Sequence, residues 1–233
     1  MNTERFRGVE RRAAVHAALG DPSRLLIVDT LLLGDRAPSE LSALLGMPSN
    51  LLAHHLKVLQ GEGILSRVRS EGDRRRCYLR LQPDALDAAT PGAAAGVRAV
   101  VAARRVLFVC TANSARSHLA AALWRRASPV PVASAGTHPA AQIDPGALAV
   151  ARRHRLALRR IRPRQLDEVY LDGDLIITVC DLAHEALHDL PDLHWSIPDP
   201  VRLGHDAAFD DALGELARRV ENLAPRLQPL AAT

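Results

Sequence analysis

Cys110 and Arg116 stand at the two ends of the run Cys110-Thr111-Ala112-Asn113-Ser114-Ala115-Arg116, followed by Ser117. The apolar stretch RVLFVC leads into this run, and the helical pattern SHLAAALWRRA leaves it. A cysteine at a strand end, a five-residue loop and an arginine at a helix start together can bind an oxyanion. A short loop between a strand and a helix N-terminus turns successive backbone N–H groups inward and makes an anion nest. The helix dipole adds partial positive charge at the same point. A guanidinium at Arg116 can fork onto two oxygens of a tetrahedral ion. The same field favours a negative sulfur at Cys110, the form that attacks. Ser117 is placed to donate a hydrogen bond to that sulfur, and Asn113 to brace the loop. The expected oxyanion loop therefore comprises Thr111, Ala112, Asn113, Ser114, Ala115 and Ser117 around Cys110 and Arg116. The bland alternative is a buried cysteine and a surface arginine that never meet.

Two further features have chemical potential. Cys180 ends the apolar run DLIITVC, and Asp199 precedes Pro200 in WSIPDP. The bland readings are a buried cysteine at a strand end and a carboxylate capping a turn. Cys180, His184 and His188 are spaced by one helical turn, which suits a metal, although an exposed helix face explains the spacing as well. No metal is expected.

The elements that must position these residues alternate. After RVLFVC and its helix come PVPVASAGT as strand with turns, the Pro-started helix DPGALAVARRH, the buried strand DLIITVC and a third strand DLHWSI. The long amphipathic helix DAAFDDALGELARRVENLA closes the series. Alternation of this kind predicts an α/β domain with a parallel sheet covered by helices.

The first part of the chain is built differently. Asp21-Pro22 is a helix start, with Asp21 as N-cap and Pro22 at the first position. A second helix opens at Pro38 and a third at Pro48-Ser49, where Leu51, Leu52, Leu56 and Leu59 keep helical spacing. ILSRVRS and RRRCYLRL then read as a hairpin with its turn at Glu71-Gly72-Asp73. Short helices followed by a basic hairpin make a mainly α winged helix-turn-helix with a β-hairpin wing. Its third helix would enter the major groove of double-stranded DNA and present Ser49, Asn50, His54 and Lys57. Arg67, Arg69, Arg74, Arg75 and Arg76 on the wing would track the phosphate backbone. A small helical domain with a solvated basic loop is the plainer alternative.

The expected organisation is residues 1–88 as the winged helix, 89–103 as linker or dimerisation helix, and 104–233 as the α/β domain. The chain has 233 residues and a net charge of +4. Residues 1–100 hold 14 Arg and Lys against 11 Asp and Glu, leaving 16 against 15 for the rest, so the excess sits in the first part. With aromatics at 3%, the cores are expected to rest on Ala, Leu and Val. Three cysteines (Cys77, Cys110 and Cys180) fit a reducing compartment better than a disulfide framework. No signal peptide or membrane-spanning run stands out, and a cytoplasmic protein is expected.

Two resemblances sharpen this reading. PSELSALLGMPSNLLAHHLKVLQGEGIL with the wing RVRSEGDRRRCYLRL resembles the arsenic-repressor (ArsR) family over about residues 8–88. That implies a homodimer on a DNA operator. Many members carry a cysteine pair on the helix before the recognition helix. SELSALLG has none, and Cys77 is read as an ordinary strand residue, so metalloid sensing is not expected here. From Arg105 to Leu227 the chain resembles the low-molecular-weight tyrosine phosphatase superfamily, which includes the thioredoxin-coupled arsenate reductases. SAGTHP at 134–139, DLIITVC and WSIPDP carry the likeness along with the Cys-x5-Arg run. The resemblance implies Cys110 as nucleophile, Arg116 as oxyanion clamp, Asp199 as general acid and Cys180 as resolving thiol. It departs at Ala112 and Ala115, where glycine and cysteine are frequent. It departs again at ALHDLP, which has no third thiol. Val201-Arg202-Leu203 after Asp199-Pro200 lacks the tyrosines of a phosphotyrosine slot.

The expectation is thus a DNA-binding regulator fused to a thiol-dependent arsenate reductase of arsenic resistance. It would bind no resident cofactor and draw electrons from a thioredoxin-like protein or a small thiol. A tyrosine phosphatase-like hydrolase, or a phosphate or arsenate sensor controlling the repressor module, is the alternative.

Overall fold

The computed structural model describes residues 3–82, 85, 101–159 and 161–230. The chain divides into two compact units.

In the first unit, α1 (Thr3–Leu19) precedes α2 (Pro22–Leu31). The side chain of Asp21 accepts the Arg24 N–H at 3.0 Å, and Pro22 fills the first turn, where its missing donor costs nothing. In α3 (Pro38–Leu45), Glu40 reaches back to the Ala37 N–H at 3.0 Å, and Gly46 ends the helix at φ 60. Next comes α4 (Ser49–Gly61), then the antiparallel pair β1 (Leu65–Arg69) and β2 (Cys77–Leu81). This is the winged helix-turn-helix. Its core gathers Ile27, Leu31, Leu41, Leu52, Leu56, Leu59 and Leu79. Leu51 departs from the expected apolar face: it is 45% exposed, and His55 takes the inward place beside Leu52, Leu56 and Leu59. Arg74, Arg75 and Arg76 fall in the connection before β2 rather than on the strand. Residues 86–100 hold most of the stretch read as linker or dimerisation helix, and they lie outside the described residues. Its last residues form β3 (Val101–Ala103).

The second unit is the α/β domain. Along the chain, β4 (Arg105–Cys110) leads to α5 (Arg116–Ala127), β5 (Val132–Gly136), α6 (Pro145–Arg153) and the short α7 (Leu166–Val169). There follow β6 (Asp174–Thr178), α8 (Asp181–Leu187), β7 (Leu193–His194), α9 (Pro200–Leu203) and α10 (Asp206–Leu223). A 3-10 turn at Ala224–Arg226 leads to β8 (Leu227–Pro229), which pairs in parallel with β3. The main sheet has the order β5-β4-β6-β7, and every pairing in it is parallel. Strand β4 lies inside this sheet and is apolar through Val106–Val109, as a strand covered on both faces must be. The third strand is much shorter than the run DLHWSI suggests, with only Leu193 and His194 paired as β7. The few aromatics are concentrated in this core. Phe108 packs against Trp124 at 6.0 Å and Trp195 at 5.5 Å between ring centroids, and all three are fully buried.

Candidate active site

The loop 111–115 runs from the end of β4 to the start of α5. Its carbonyl groups are taken up by the segment that follows β5. The N–H groups of Thr137, His138, Ala140 and Asp144 donate to the carbonyls of Cys110, Thr111, Ala112 and Ser114 at 2.8–3.1 Å. With these carbonyls turned outward, the loop amides are left to turn the other way. Among the described residues, the N–H groups of Ala112, Ser114 and Ala115 meet no protein acceptor. Ala115, at the N-cap of α5, has no side chain that could satisfy the first helical amides either. Backbone donors of this kind are what an anion nest requires.

The side chains complete the frame. The Cys110 sulfur accepts the Asn113 N–H at 3.2 Å and lies 3.1 Å from the Ser117 hydroxyl. Asn113 adopts φ 45, a left-handed conformation that asparagine tolerates better than most residues. Its amide donates to Ser117 Oγ at 2.8 Å, and its carbonyl oxygen accepts the Arg164 N–H at 3.0 Å. Gly136 faces Cys110 in the sheet register. A Cβ there would stand 2.6 Å from the Thr111 carbonyl oxygen, so only glycine fits so close to the loop.

Arg116 is buried. Its Nη1 donates to the Ile197 carbonyl at 2.9 Å, and its Nη2 pairs with Asp199 Oδ2 at 3.0 Å. Burial works against the charged guanidinium, yet the neighbouring Cys180, Cys110 and Asp199 hold its pKa above the ordinary arginine value. Asp199 also caps α9, its Oδ1 accepting the Val201 N–H at 3.1 Å. One carboxylate oxygen thus caps the turn and the other faces the Arg116 guanidinium. Cys180 meets the same loop. Its sulfur accepts the Thr111 N–H at 3.2 Å and the Ala183 N–H at 3.4 Å, and the Thr111 hydroxyl lies at 3.4 Å. Burial pushes the Cys180 thiol above its usual range, while Arg116 pulls it back. All three cysteines are free thiols.

The structure thus brings Cys110, Asn113, Arg116, Ser117, Cys180 and Asp199 together. The other residues of interest lie on α4 and the hairpin, all in the first unit except Arg74, which at the hairpin tip is counted with the second. Ser49, Asn50, His54 and Lys57 are exposed on α4, and Arg67, Arg74, Arg75 and Arg76 are exposed on the hairpin. Cys77 opens β2, half-buried. The spacing of Cys180, His184 and His188 does not mark one exposed helix face. Cys180 and His184 point inward, and His188 is exposed at φ 49, past the end of α8. Among the described residues, no group of three or more His, Cys, Asp and Glu is placed to hold a metal ion.

Sequence reasoning missed the buried polar cluster beside Cys180. The rings of His184 and His194 stack at 4.0 Å, the Thr178 hydroxyl lies 3.3 and 3.0 Å from their Nδ1 atoms, and His194 Nε2 stands 3.1 Å from Asp181 Oδ1. Burial pushes the Asp181 carboxyl up, but the His194 hydrogen bond and its neighbours hold it below the usual range. The signal was a histidine in each of two apolar contexts, DLAHEAL and DLHWSI, which reads as helix and strand punctuation.

Among the described residues, no helix is long and apolar enough to cross a membrane. The model of the family described as low molecular weight phosphotyrosine protein phosphatase matches residues 105–231. That of the bacterial regulatory protein, arsR family, matches residues 21–67. No curated protein matches the chain. Among solved structures, an arsenate reductase from Archaeoglobus fulgidus is similar at 33% identity, covering 52% of this chain and 98% of that one with a TM-score of 0.46. The YwlE arginine phosphatase from Geobacillus stearothermophilus is similar at 26% identity, covering 52% and 91% with a TM-score of 0.45. The tyrosine phosphatase Wzb from Escherichia coli K30, in complex with sulphate, is similar at 26% identity, covering 52% and 96% with a TM-score of 0.44. The first of these matches takes in more than half of the chain, which belongs to the low molecular weight phosphotyrosine protein phosphatase family and carries an arsR-type helix-turn-helix domain ahead of its enzyme domain.

Proposed function

We propose that the α/β domain reduces arsenate to arsenite, and that the winged helix binds an operator of arsenic-resistance genes as a homodimer. The observation that carries the enzymatic reading is the second sulfur at the loop. Cys180 accepts the amide of Thr111, the residue bonded to the nucleophile, at 3.2 Å. In this reading arsenate occupies the nest, clamped by Arg116. The Cys110 thiolate attacks arsenic, and an oxygen leaves as water with a proton from Asp199. Cys180, once its proton is lost, attacks the Cys110 sulfur. A sulfur–sulfur bond forms, the arsenic–sulfur bond breaks, and its electron pair reduces arsenic(V) to arsenite. A thioredoxin-like protein or a small thiol then supplies two electrons to reopen the disulfide. An intramolecular relay through a third thiol is not part of the scheme, because Cys77 belongs to the hairpin.

A hydrolase acting on phosphotyrosine has less support. Val201 and Leu203 are exposed after Asp199-Pro200, and none of residues 201–203 is aromatic.

The test is single-turnover arsenate reduction by the reduced chain without added thiol. The expected result is one arsenite and one Cys110–Cys180 disulfide per chain. Cys180→Ser should hold arsenic on the loop without releasing arsenite, and Cys110→Ser should do nothing. Full arsenite release from Cys180→Ser sinks the internal disulfide. Phosphate ester hydrolysis with no arsenite from any donor sinks the reductase.

A further inference from the structure

A second cluster of positive charge gathers around His118 and Arg125 of α5. His118 and Arg125 are seven residues apart, two helical turns, and so share one face of the helix. His118 Nε2 and Arg125 Nε are both buried, and neither meets a hydrogen-bond partner among the described residues. The His118 residue is 3% exposed, and its ring is hydrogen-bonded to the backbone of Asn113. Arg125 and Arg164 both act electrostatically on His118, and Arg159 acts on Arg125. No carboxylate among the described residues pairs with Arg125, Arg159 or Arg164. Arg159 and Arg164 belong to a stretch, residues 152–164, with seven arginines and no Asp or Glu. Like charges gathered around a buried imidazole without a counter-charge are unfavourable unless an anion completes the group.

We propose that His118, Arg125, Arg159 and Arg164 form a second oxyanion site, which takes a small tetrahedral dianion such as sulfate or inorganic phosphate. Arg125 and Arg159 supply the charge and Arg164 closes the side nearest the loop. His118 takes up a proton from solvent at Nε2 as the anion arrives and becomes a further donor. Asn113 joins this site to the catalytic one. Its backbone holds His118, its side-chain oxygen accepts the Arg164 N–H at 3.0 Å, and its amide supports Ser117 at 2.8 Å. An anion bound here braces the residue that shapes the nest.

Sulfate is the probe of choice because it does not titrate between pH 5 and 9 and is not turned over. The full chain carrying Cys110→Asp, whose carboxylate repels oxyanions from the catalytic loop, is titrated with sodium sulfate in a calorimeter at constant ionic strength set by chloride. Wild-type chain carboxymethylated at Cys110 serves as a second blocked form. The expected result in both is one saturable sulfate per chain, bound at least tenfold more weakly after Arg125→Gln or Arg159→Gln, with unchanged helix content. Absence of saturable sulfate binding in both blocked forms overturns the site. So does binding that both substitutions leave intact. If the same substitutions weaken binding to a duplex oligonucleotide while the blocked chains take no sulfate, the arginines serve nucleic acid and the proposal falls. Because the catalytic loop is blocked throughout, failure here is distinct from failure of arsenate reduction.

Discussion

At the scale of single residues, the site is a set of shared atoms. Asp199 divides its two oxygens between the Val201 N–H and the Arg116 guanidinium, and Cys180 divides its sulfur between Thr111 and Ala183. Each is a structural cap and a candidate reactant together. The Cys-x5-Arg pair and Ser117 were legible in the sequence from their types and spacing, whereas Asp199 entered only through the family resemblance. The cluster of Thr178, Asp181, His184 and His194 was not, since its members come from β6, α8 and β7 and meet only after the sheet is assembled. His118 was likewise silent: nothing in SHLAAAL says that its ring is buried. That burial has a measurable effect. Burial, with Arg125 beside it, pushes the His118 pKa from 6.5 down to about 4. The unfolded chain therefore binds a proton that the folded chain does not, and stability falls as pH drops from 6.5 towards 4. The part due to His118 amounts to about 3 kcal/mol at most. Denaturant midpoints across that window should show it in the wild type and flatten in His118→Gln; parallel curves for the two would remove the histidine from the account.

At the scale of elements, the loop is held from outside. The segment 137–144 donates to three of its carbonyls and to that of Cys110, and Gly136 lets β5 approach it closely. The motif SAGTHP was visible in the sequence, but its work was not, because backbone-to-backbone support leaves no trace in residue type apart from the glycine. Gly136→Ala should push the Thr111 carbonyl and distort the nest. Arsenate turnover is expected to fall by two orders of magnitude or more, while far-ultraviolet circular dichroism keeps its shape, since a displacement of about 1 Å in a reacting geometry can cost a hundredfold. Turnover within twofold of wild type would mean that the loop tolerates the shift. In the first unit, the helices were readable from Asp21-Pro22, Gly46 and the leucine spacing, whereas the outward turn of Leu51 was not. Leucine spacing alone does not tell which side of α4 faces the core when His55 competes for it. The wing should act through charge. Replacing Arg74, Arg75 and Arg76 together with glutamine removes up to three phosphate contacts and should flatten the slope of log affinity against log salt by up to about 3. An unchanged slope in filter-binding or anisotropy titrations would take these arginines off the DNA.

At the scale of the whole molecule, the chain joins a module that reads duplex phosphate to one that grips a free oxyanion. The two use opposite means. The winged helix exposes its cations on side chains, whereas the oxyanion loop sets one buried arginine, Arg116, beside backbone donors. This is why a modest net charge of +4 says little about either. The amide of Thr111 has a final bearing on the whole chain. In the thiol form it donates to Cys180 at 3.2 Å. A sulfur locked into a disulfide carries no negative charge and moves towards its new neighbour, so that donor is released and the strand-to-helix corner loses a tether. Oxidised chain should therefore be a poor receptor for phosphate at its catalytic corner, and treatment with dithiothreitol should restore the affinity. Equal phosphate binding by both redox forms would show that the corner keeps its shape without the tether. If the tether matters, spent enzyme is also empty enzyme: each chain stays out of competition for its substrate until a reductant returns it to service.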